Sequence, residues 1–196
     1  MLETFLFTGA GGQGVMFAGQ LLAYAAMDHG FEVTWIPSYG PEMRGGTAHC
    51  DVVISDHMIG SPVVKAPRVA LVFNRPSLAK FVLTLAPAGL LVRNVTLAPD
   101  APTRTDVTDL PIPATALADA LGNVRLANVV MLGAALAAHP VLPIAALRSA
   151  LESHLPAHHR DKLTLNLAAL DAGVQAALKV ESERCEPLLT HSSKVG

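Results

Sequence analysis

The sequence predicts an α/β fold: one domain with a mostly parallel sheet flanked by helices, followed by a helical C-terminal half. Three observations predict it. Short apolar runs alternate with helical patterns through the first half of the chain. The first of these runs passes through a glycine-rich turn straight into a helix. Beyond Pro113 the chain becomes rich in Ala and Leu at helical spacing. With 196 residues, 51% of them hydrophobic, one domain can bury roughly 70% of its unfolded surface.

Each element follows from local pattern. Residues 4–8 (Thr-Phe-Leu-Phe-Thr) are a short buried strand, residues 9–14 a glycine loop, and residues 15–28 a helix stopped by His29-Gly30. Residues 31–36 read as a second strand ended by Pro37, and residues 38–46, with Gly, Pro and charges, as a loop. Residues 47–54 and 68–74 give the third and fourth strands, 76–85 a helix and 89–94 a fifth strand. The Pro-, Thr- and Asp-rich stretch 95–113 is expected to be extended, with at most one strand near 103–107. Helices are expected over 114–121, 128–138, 144–155 and 161–178. The domain thus spans 1–178, and 179–196, where the apolar period is lost, is expected to be a flexible tail.

Composition excludes several classes. The 14 Lys and Arg against 16 Asp and Glu, without a basic run, argue against nucleic-acid binding. Cys50 and Cys185 stand alone and far apart, so neither a disulfide framework nor a CxxC metal site is present, as suits a reducing cytoplasm. Glu3 and the lack of a basic region at the start argue against a signal peptide. Residues 4–27 and 126–147 carry no Asp, Glu, Lys or Arg, yet glycines break the first and prolines the second, so no membrane span is expected. Charged residues make up 15% of the chain, against about 25% in an ordinary soluble protein, and mean hydropathy is +0.41. The weakly charged surface predicts a covered chain, in an oligomer or as a complex subunit.

Gly9-Ala10-Gly11-Gly12-Gln13-Gly14 satisfies GxGxxG between a strand and a helix, which makes the domain Rossmann-like. Glycines there permit a tight turn and close ligand approach, and free amides at the helix start attract an anion. A nicotinamide site also needs an acid after the second strand, where this chain has Trp35-Ile36-Pro37-Ser38; Glu32 comes too early and Glu42 beyond the loop. A glycine turn required for packing alone is the competing reading. A second dense segment, Ser38-Tyr39-Gly40-Pro41-Glu42-Met43-Arg44-Gly45-Gly46, is expected on the same sheet edge, where ligands of open α/β sheets bind. Arg44 suits phosphate or carboxylate, and Tyr39 offers a hydroxyl and a flat face. His154, His158 and His159 are spaced as metal ligands could be, but Pro156 interrupts their helix and no fourth ligand is evident. No residue reads as a catalyst.

These two loops, then Thr47-Ala48, Val53-Ile54-Ser55-Asp56, Ile59-Gly60-Ser61-Pro62, Asn74-Arg75-Pro76-Ser77-Leu78, Asn128-Val129-Val130-Met131-Leu132-Gly133 and Asn166-Leu167-Ala168-Ala169-Leu170, resemble the gamma subunit of 2-oxoacid:ferredoxin oxidoreductases. The resemblance covers residues 3–178. The forms of the 39–46 loop and of residues 59–62 are most similar to the 2-oxoglutarate (2-oxoglutarate synthase) branch.

The resemblance implies a subunit, inactive alone, of an enzyme that oxidatively decarboxylates a 2-oxoacid with coenzyme A, giving acyl-CoA, CO2 and electrons for ferredoxin. Thiamine diphosphate with Mg²⁺ would lie between alpha and beta subunits, and iron–sulfur clusters on a further subunit or ferredoxin. The gamma domain would wall the active site and assist coenzyme A binding. Two cysteines cannot supply the four thiolates such a cluster usually takes, so the redox groups are expected on partner chains, while the isolated chain could pair with a second copy. The expected ligand contacts are Gly9, Gly11, Gly12, Gln13, Gly14, Ser38, Tyr39, Glu42, Arg44, Gly45 and Gly46, with no catalytic residue and no metal ligand. The small subunit of the indolepyruvate enzyme, a stand-alone NAD(P)-dependent oxidoreductase and a regulatory binding module are the competing functions.

Overall fold

The computed structural model describes residues 1–38, 47–155 and 161–190, the last six as backbone alone. Strand β1 (Leu2–Ala10) leads into helix α1 (Val15–Asp28), then β2 (Glu32–Ser38) and β3 (Thr47–Ser55). Next come β4 (Val69–Val72), α2 (Arg75–Phe81), β5 (Leu90–Asn94) and β6 (Thr108–Ile112). Four helices complete the chain: α3 (Ala114–Ala120), α4 (Ala127–Ala138), α5 (Ile144–His154) and α6 (Leu163–Thr190). Single 3-10 turns at Val82–Thr84 and Val124–Leu126 extend α2 and introduce α4.

The six strands lie in the order β2-β3-β1-β4-β5-β6. β1, β4, β5 and β6 pair in parallel, whereas β3 runs antiparallel to both neighbours. The expected mostly parallel sheet is therefore present with one reversed strand. Its reversal has a simple cause: the eight residues 39–46 between β2 and β3 are too few for a parallel crossover. From β1 the chain goes to one side through α1 and returns to build β4 on the other. The strand order thus reverses between β1 and β4, which opens a crevice at their carboxyl ends.

Alternation along the strands sorts side chains onto two faces. Phe5, Phe7, Cys50, Val52, Leu71 and Val92 face a core closed by α1 and α4. Leu6, Ala70, Val72 and Leu91 face a smaller cluster with Leu78, Val82 and Leu85. Helix α4 is buried on all sides, which is why no charge breaks it. It lies directly on α6, since a Cβ at Gly173 would sit 1.9 Å from the Val130 carbonyl oxygen and one at Gly133 would sit 2.3 Å from that of Leu170.

Some expectations need correction. Pro37 does not end β2 but pairs with Cys50 inside it; β2 is an edge strand, where a missing N–H is tolerated. The sixth strand occupies Thr108–Ile112 rather than 103–107, and Pro111 is again accommodated at the opposite edge. The helix expected over 76–85 ends its α-form at Phe81. Helix α6 runs past Leu178 to Thr190, supported by a Lys179–Glu183 pair one turn apart and by Arg184 donating to the Asp109 carbonyl. Residues 191–196 lie outside the described residues.

Candidate functional site

The glycine loop leaves β1 at the switch-point crevice. Its glycines divide by what surrounds them. Gly9 is buried, and a Cβ there would meet Gln13 Oε1 at 2.6 Å and Phe73 Cβ at 2.9 Å. Gly14 caps α1 at φ +72°, and a Cβ would lie 2.2 Å from Asn128 Nδ2. These two positions are required by packing. Gly11 and Gly12 are exposed with nothing within 4 Å of a built Cβ, and Gly12 has φ +88°. They form the open lip that a ligand or partner can approach.

Gln13, one of the expected ligand contacts, lines the crevice while its side-chain oxygen is engaged internally. Oε1 accepts from the Ala10 amide at 2.6 Å and from Asn74 Nδ2 at 3.2 Å. Asn74 in turn caps α2, accepting from the Ser77 amide at 2.9 Å. One side chain thus ties the ends of β1 and β4 across the crevice. Asn128 holds the other end of the loop, donating to the Gly14 carbonyl at 3.2 Å.

The second expected loop departs from the same edge. Ser38 pairs with His49, and Ala10 with Thr47, so β1 and β2 finish where β3 begins. Ser38 is half-buried there. Tyr39, Glu42, Arg44, Gly45 and Gly46 lie outside the described residues.

Sequence reasoning missed the groups nearest the glycine lip. A cavity of about 410 Å³ is lined by Gly12, Gly14, Asn123, Arg125, Lys162 and Asn166, among others. A smaller one of about 170 Å³, at the ends of β1 and β5, shares Gly12 and Arg125 and adds Gln13, Asn94 and Thr115. Arg125 therefore borders both spaces. The other arginines among the described residues are bonded: Arg68 to Glu3, Arg75 to Asp100, Arg93 to Asp109, Arg104 to Asp106, Arg148 to Asp171 and Arg184 to a carbonyl. Among the described residues Arg125 has no such partner. Its backbone amide is fixed by Asn123 Oδ1 at 3.1 Å, which caps the 3-10 turn. The first turns of α1, α4 and α6 all adjoin the larger cavity, so their positive ends add to its attraction for an anion. The signal that could have found this site is Asn123-Val124-Arg125, a capping residue and a cation before an uncharged helix.

Metal chemistry finds no support among these side chains. No group of three His, Cys, Asp or Glu among the described residues could hold an ion. Cys50 is buried, and burial pushes its thiol up to about 12, away from the thiolate a metal takes. His154, one of the three spaced histidines, stacks on Tyr24 at 4.3 Å and meets Asp28 Oδ2 at 2.8 Å; His158 and His159 lie outside the described residues.

Comparison with known proteins follows the same lines. A family model described as pyruvate ferredoxin/flavodoxin oxidoreductase matches residues 4–176. The ketoisovalerate oxidoreductase subunit VorA of Methanothermobacter marburgensis is 38% identical over 173 residues, covering 87% of this chain and 36% of the relative. The 2-oxoglutarate synthase subunit KorC of Methanothermobacter thermautotrophicus is 33% identical over 176 residues, covering 84% of this chain and 89% of the relative. The chain therefore spans about a third of the first relative and most of the second. A keto/oxoacid ferredoxin oxidoreductase gamma subunit from Geobacter sulfurreducens has the same fold, with TM-score 0.79 and 28% identity, covering 90% of this chain and 99% of that one.

Proposed function

The chain belongs to the pyruvate ferredoxin/flavodoxin oxidoreductase family, and from that premise we propose that it serves as the gamma subunit of a multi-subunit 2-oxoacid:ferredoxin oxidoreductase. The complex joins a 2-oxoacid to coenzyme A, releasing CO2 and a proton and passing two electrons to ferredoxin. This chain supplies none of the redox groups. Its two cysteines fall short of a cluster's usual thiolates, and the described one is buried and protonated. Thiamine diphosphate with Mg²⁺ and the clusters are carried by alpha, beta and iron–sulfur partners, which supply the carbanion and electron-transfer chemistry. No helix among the described residues is long and apolar enough to cross a membrane, and we place the complex in the cytoplasm.

The observation that supports this chain's own role is Arg125, without an acidic partner among the described residues and beside the open Gly11–Gly12 lip. A phosphate group of coenzyme A at that lip would accept from the loop amides and from Arg125; Arg44 and Tyr39, which lie outside the described residues, are proposed on sequence grounds as further contacts. Such contacts hold the cosubstrate while its thiol reaches the partner's active site. They act by binding and orientation, so they affect KM more than kcat.

We assign 2-oxoglutarate as the substrate, on the forms of the 39–46 loop and of residues 59–62. A second reading, a branched 2-oxoacid, is favoured by the higher identity to the ketoisovalerate subunit. Viologen reduction by the chain co-expressed with its thiamine-diphosphate subunits tests both. Coenzyme A-dependent activity in the complex and none in the isolated chain is expected. Faster turnover of 3-methyl-2-oxobutanoate than of 2-oxoglutarate would move the substrate to the branched class. Absence of any complex would remove the gamma-subunit role.

A further inference from the structure

The larger cavity beside the glycine lip is built from two kinds of surface. Phe17 of α1, Leu126 before α4 and Leu155 after α5 supply apolar walls. Asn128 of α4 and Asn166 of α6 supply carboxamides, and these residues are only 5% and 6% exposed. Gly12 and Arg125 stand where this cavity meets the smaller one. Its volume of about 410 Å³ falls within the roughly 300–1,000 Å³ of a small-ligand site.

The two carboxamides differ in what they leave open. Asn128 is engaged at both ends, donating to the Gly14 carbonyl at 3.2 Å and accepting from the Val129 amide at 2.8 Å. Asn166 Nδ2 donates to the Lys162 carbonyl, four residues back, at 2.9 Å. A carbonyl can only accept, so this bond fixes which end of the Asn166 amide is the oxygen. Oδ1 accepts from nothing among the described residues. It is also not sealed off, since the sealed and partnerless side-chain atoms among those residues are on Thr34, Trp35, His49 and Ser77. Buried polar side chains mostly find their partners. An acceptor held on a helix at the wall of a cavity, and open to it, is suited to an N–H of a ligand.

The lining states what that ligand must carry: an apolar or flat part for the walls, an N–H donor for Asn166, and an anion for the side of Gly12 and Arg125. A nucleotide has all three. Adenine presents its exocyclic amine as such a donor, whereas guanine has an oxygen at the same position, which would face Oδ1 acceptor to acceptor. We propose that this cavity seats the base of an adenine nucleotide, with Asn166 Oδ1 accepting from the exocyclic amine and the phosphates directed to Gly12 and Arg125. Asn166 is then a residue that determines specificity. That the nucleotide is the one within coenzyme A rests on the function proposed above; the base site itself does not.

Equilibrium binding of ADP and IDP to the full chain tests the site, because IDP replaces the amine with a carbonyl. ADP should bind about tenfold more tightly, as for one hydrogen bond. Asn166→Leu keeps the bulk and removes the acceptor, so it should bring ADP down to the affinity of IDP and leave IDP unchanged. Equal binding of ADP and IDP by the wild type, or no binding of ADP, would overturn the proposal without need of any variant. An equal loss of both nucleotides in Asn166→Leu would overturn it too, since Asn166 would then only shape the cavity. In the complex with the thiamine-diphosphate subunits, the same substitution should raise KM for coenzyme A about tenfold, with kcat changed less. An unchanged KM beside a lost preference for ADP would overturn the assignment to coenzyme A and leave a site for a free adenine nucleotide. If the wild-type chain forms no complex, the functional reading fails, and the ratio of ADP to IDP affinity still decides the base site.

Discussion

Gln13 Oε1 accepts from the Ala10 amide at 2.6 Å and from the Asn74 side chain at 3.2 Å, joining residues 61 apart in sequence. The glycine motif is therefore held shut from inside by its own glutamine. Gln13→Ala would leave the Ala10 amide and Asn74 short of an acceptor. A loss of about 1–2 kcal/mol is expected, read as a lowered urea midpoint with unchanged slope. An unaltered midpoint would show that water replaces the amide without cost.

The glycines of the motif should separate by role. Gly14→Ala forces a side chain into a left-handed conformation and onto Asn128, costing roughly 2 kcal/mol or more. Gly11→Ala meets open space and should fold as the wild type, while raising KM for coenzyme A in the assembled enzyme by narrowing the lip. Equal destabilisation by both substitutions would return the motif to a packing role alone.

Arg125→Ala tests the cation that borders both cavities. An exposed, unpaired arginine contributes little to the fold, so Tm should hold. KM for coenzyme A should rise about tenfold, as for one lost charge-assisted bond of about 1.4 kcal/mol, with kcat changed less. Steady-state viologen reduction at varied coenzyme A reads the split. An unchanged KM would take Arg125 out of the ligand site.

How far the sequence disclosed these features depends on whether the deciding interaction is local. The bounds of α1 are legible because Gly14 and His29-Gly30 punctuate it. Sequence pattern sets β6 too early because Asp109 and Pro111 argue against a strand, and its edge position, with Asp109 bound to Arg93, reconciles them. The reach of α6 depends on Arg184 meeting β6, which no periodicity encodes. At the site, the sequence located the glycine turn but could not tell inward glycines from outward ones. Arg125 looks like any other arginine until the carboxylates beside its fellows are mapped.

Helix contact gives a stability prediction that does not involve the site. Gly173→Ala would place a methyl group against the Val130 carbonyl and the Ala134 amide, both backbone atoms of the buried helix α4. The helices must then separate, so a loss of roughly 3 kcal/mol or failure to fold is expected. Wild-type stability of Gly173→Ala, measured by denaturant unfolding, would contradict the close approach of α4 and α6.

Acidification should distinguish Asp51 from the acids among the described residues that are held below their ordinary value. Its carboxyl is raised by burial to about 6 in the folded chain, against roughly 3.9 unfolded. The folded state therefore binds its proton first, and this group's contribution to stability is full below about pH 4 and is lost as pH rises through about 6. His49, on the same face, is lowered by burial and by Lys80, so it acts the other way and withdraws stability as pH falls below the ordinary imidazole range. Asp56, Asp100 and Asp106 are held below the usual value by the N-terminal amine, Arg75 and Arg104 respectively, so their stabilising contributions decline only at still lower pH. Wild type and Asp51→Asn share all of these groups except one, and the difference between their Tm curves isolates Asp51. The Asn variant should lead by a few degrees above about pH 6.5, with the lead shrinking steadily and vanishing near pH 4. A gap that stays constant from pH 4 to 7.5 would mean that Asp51 titrates alike folded and unfolded, and that its carboxylate is not confined on the sheet face.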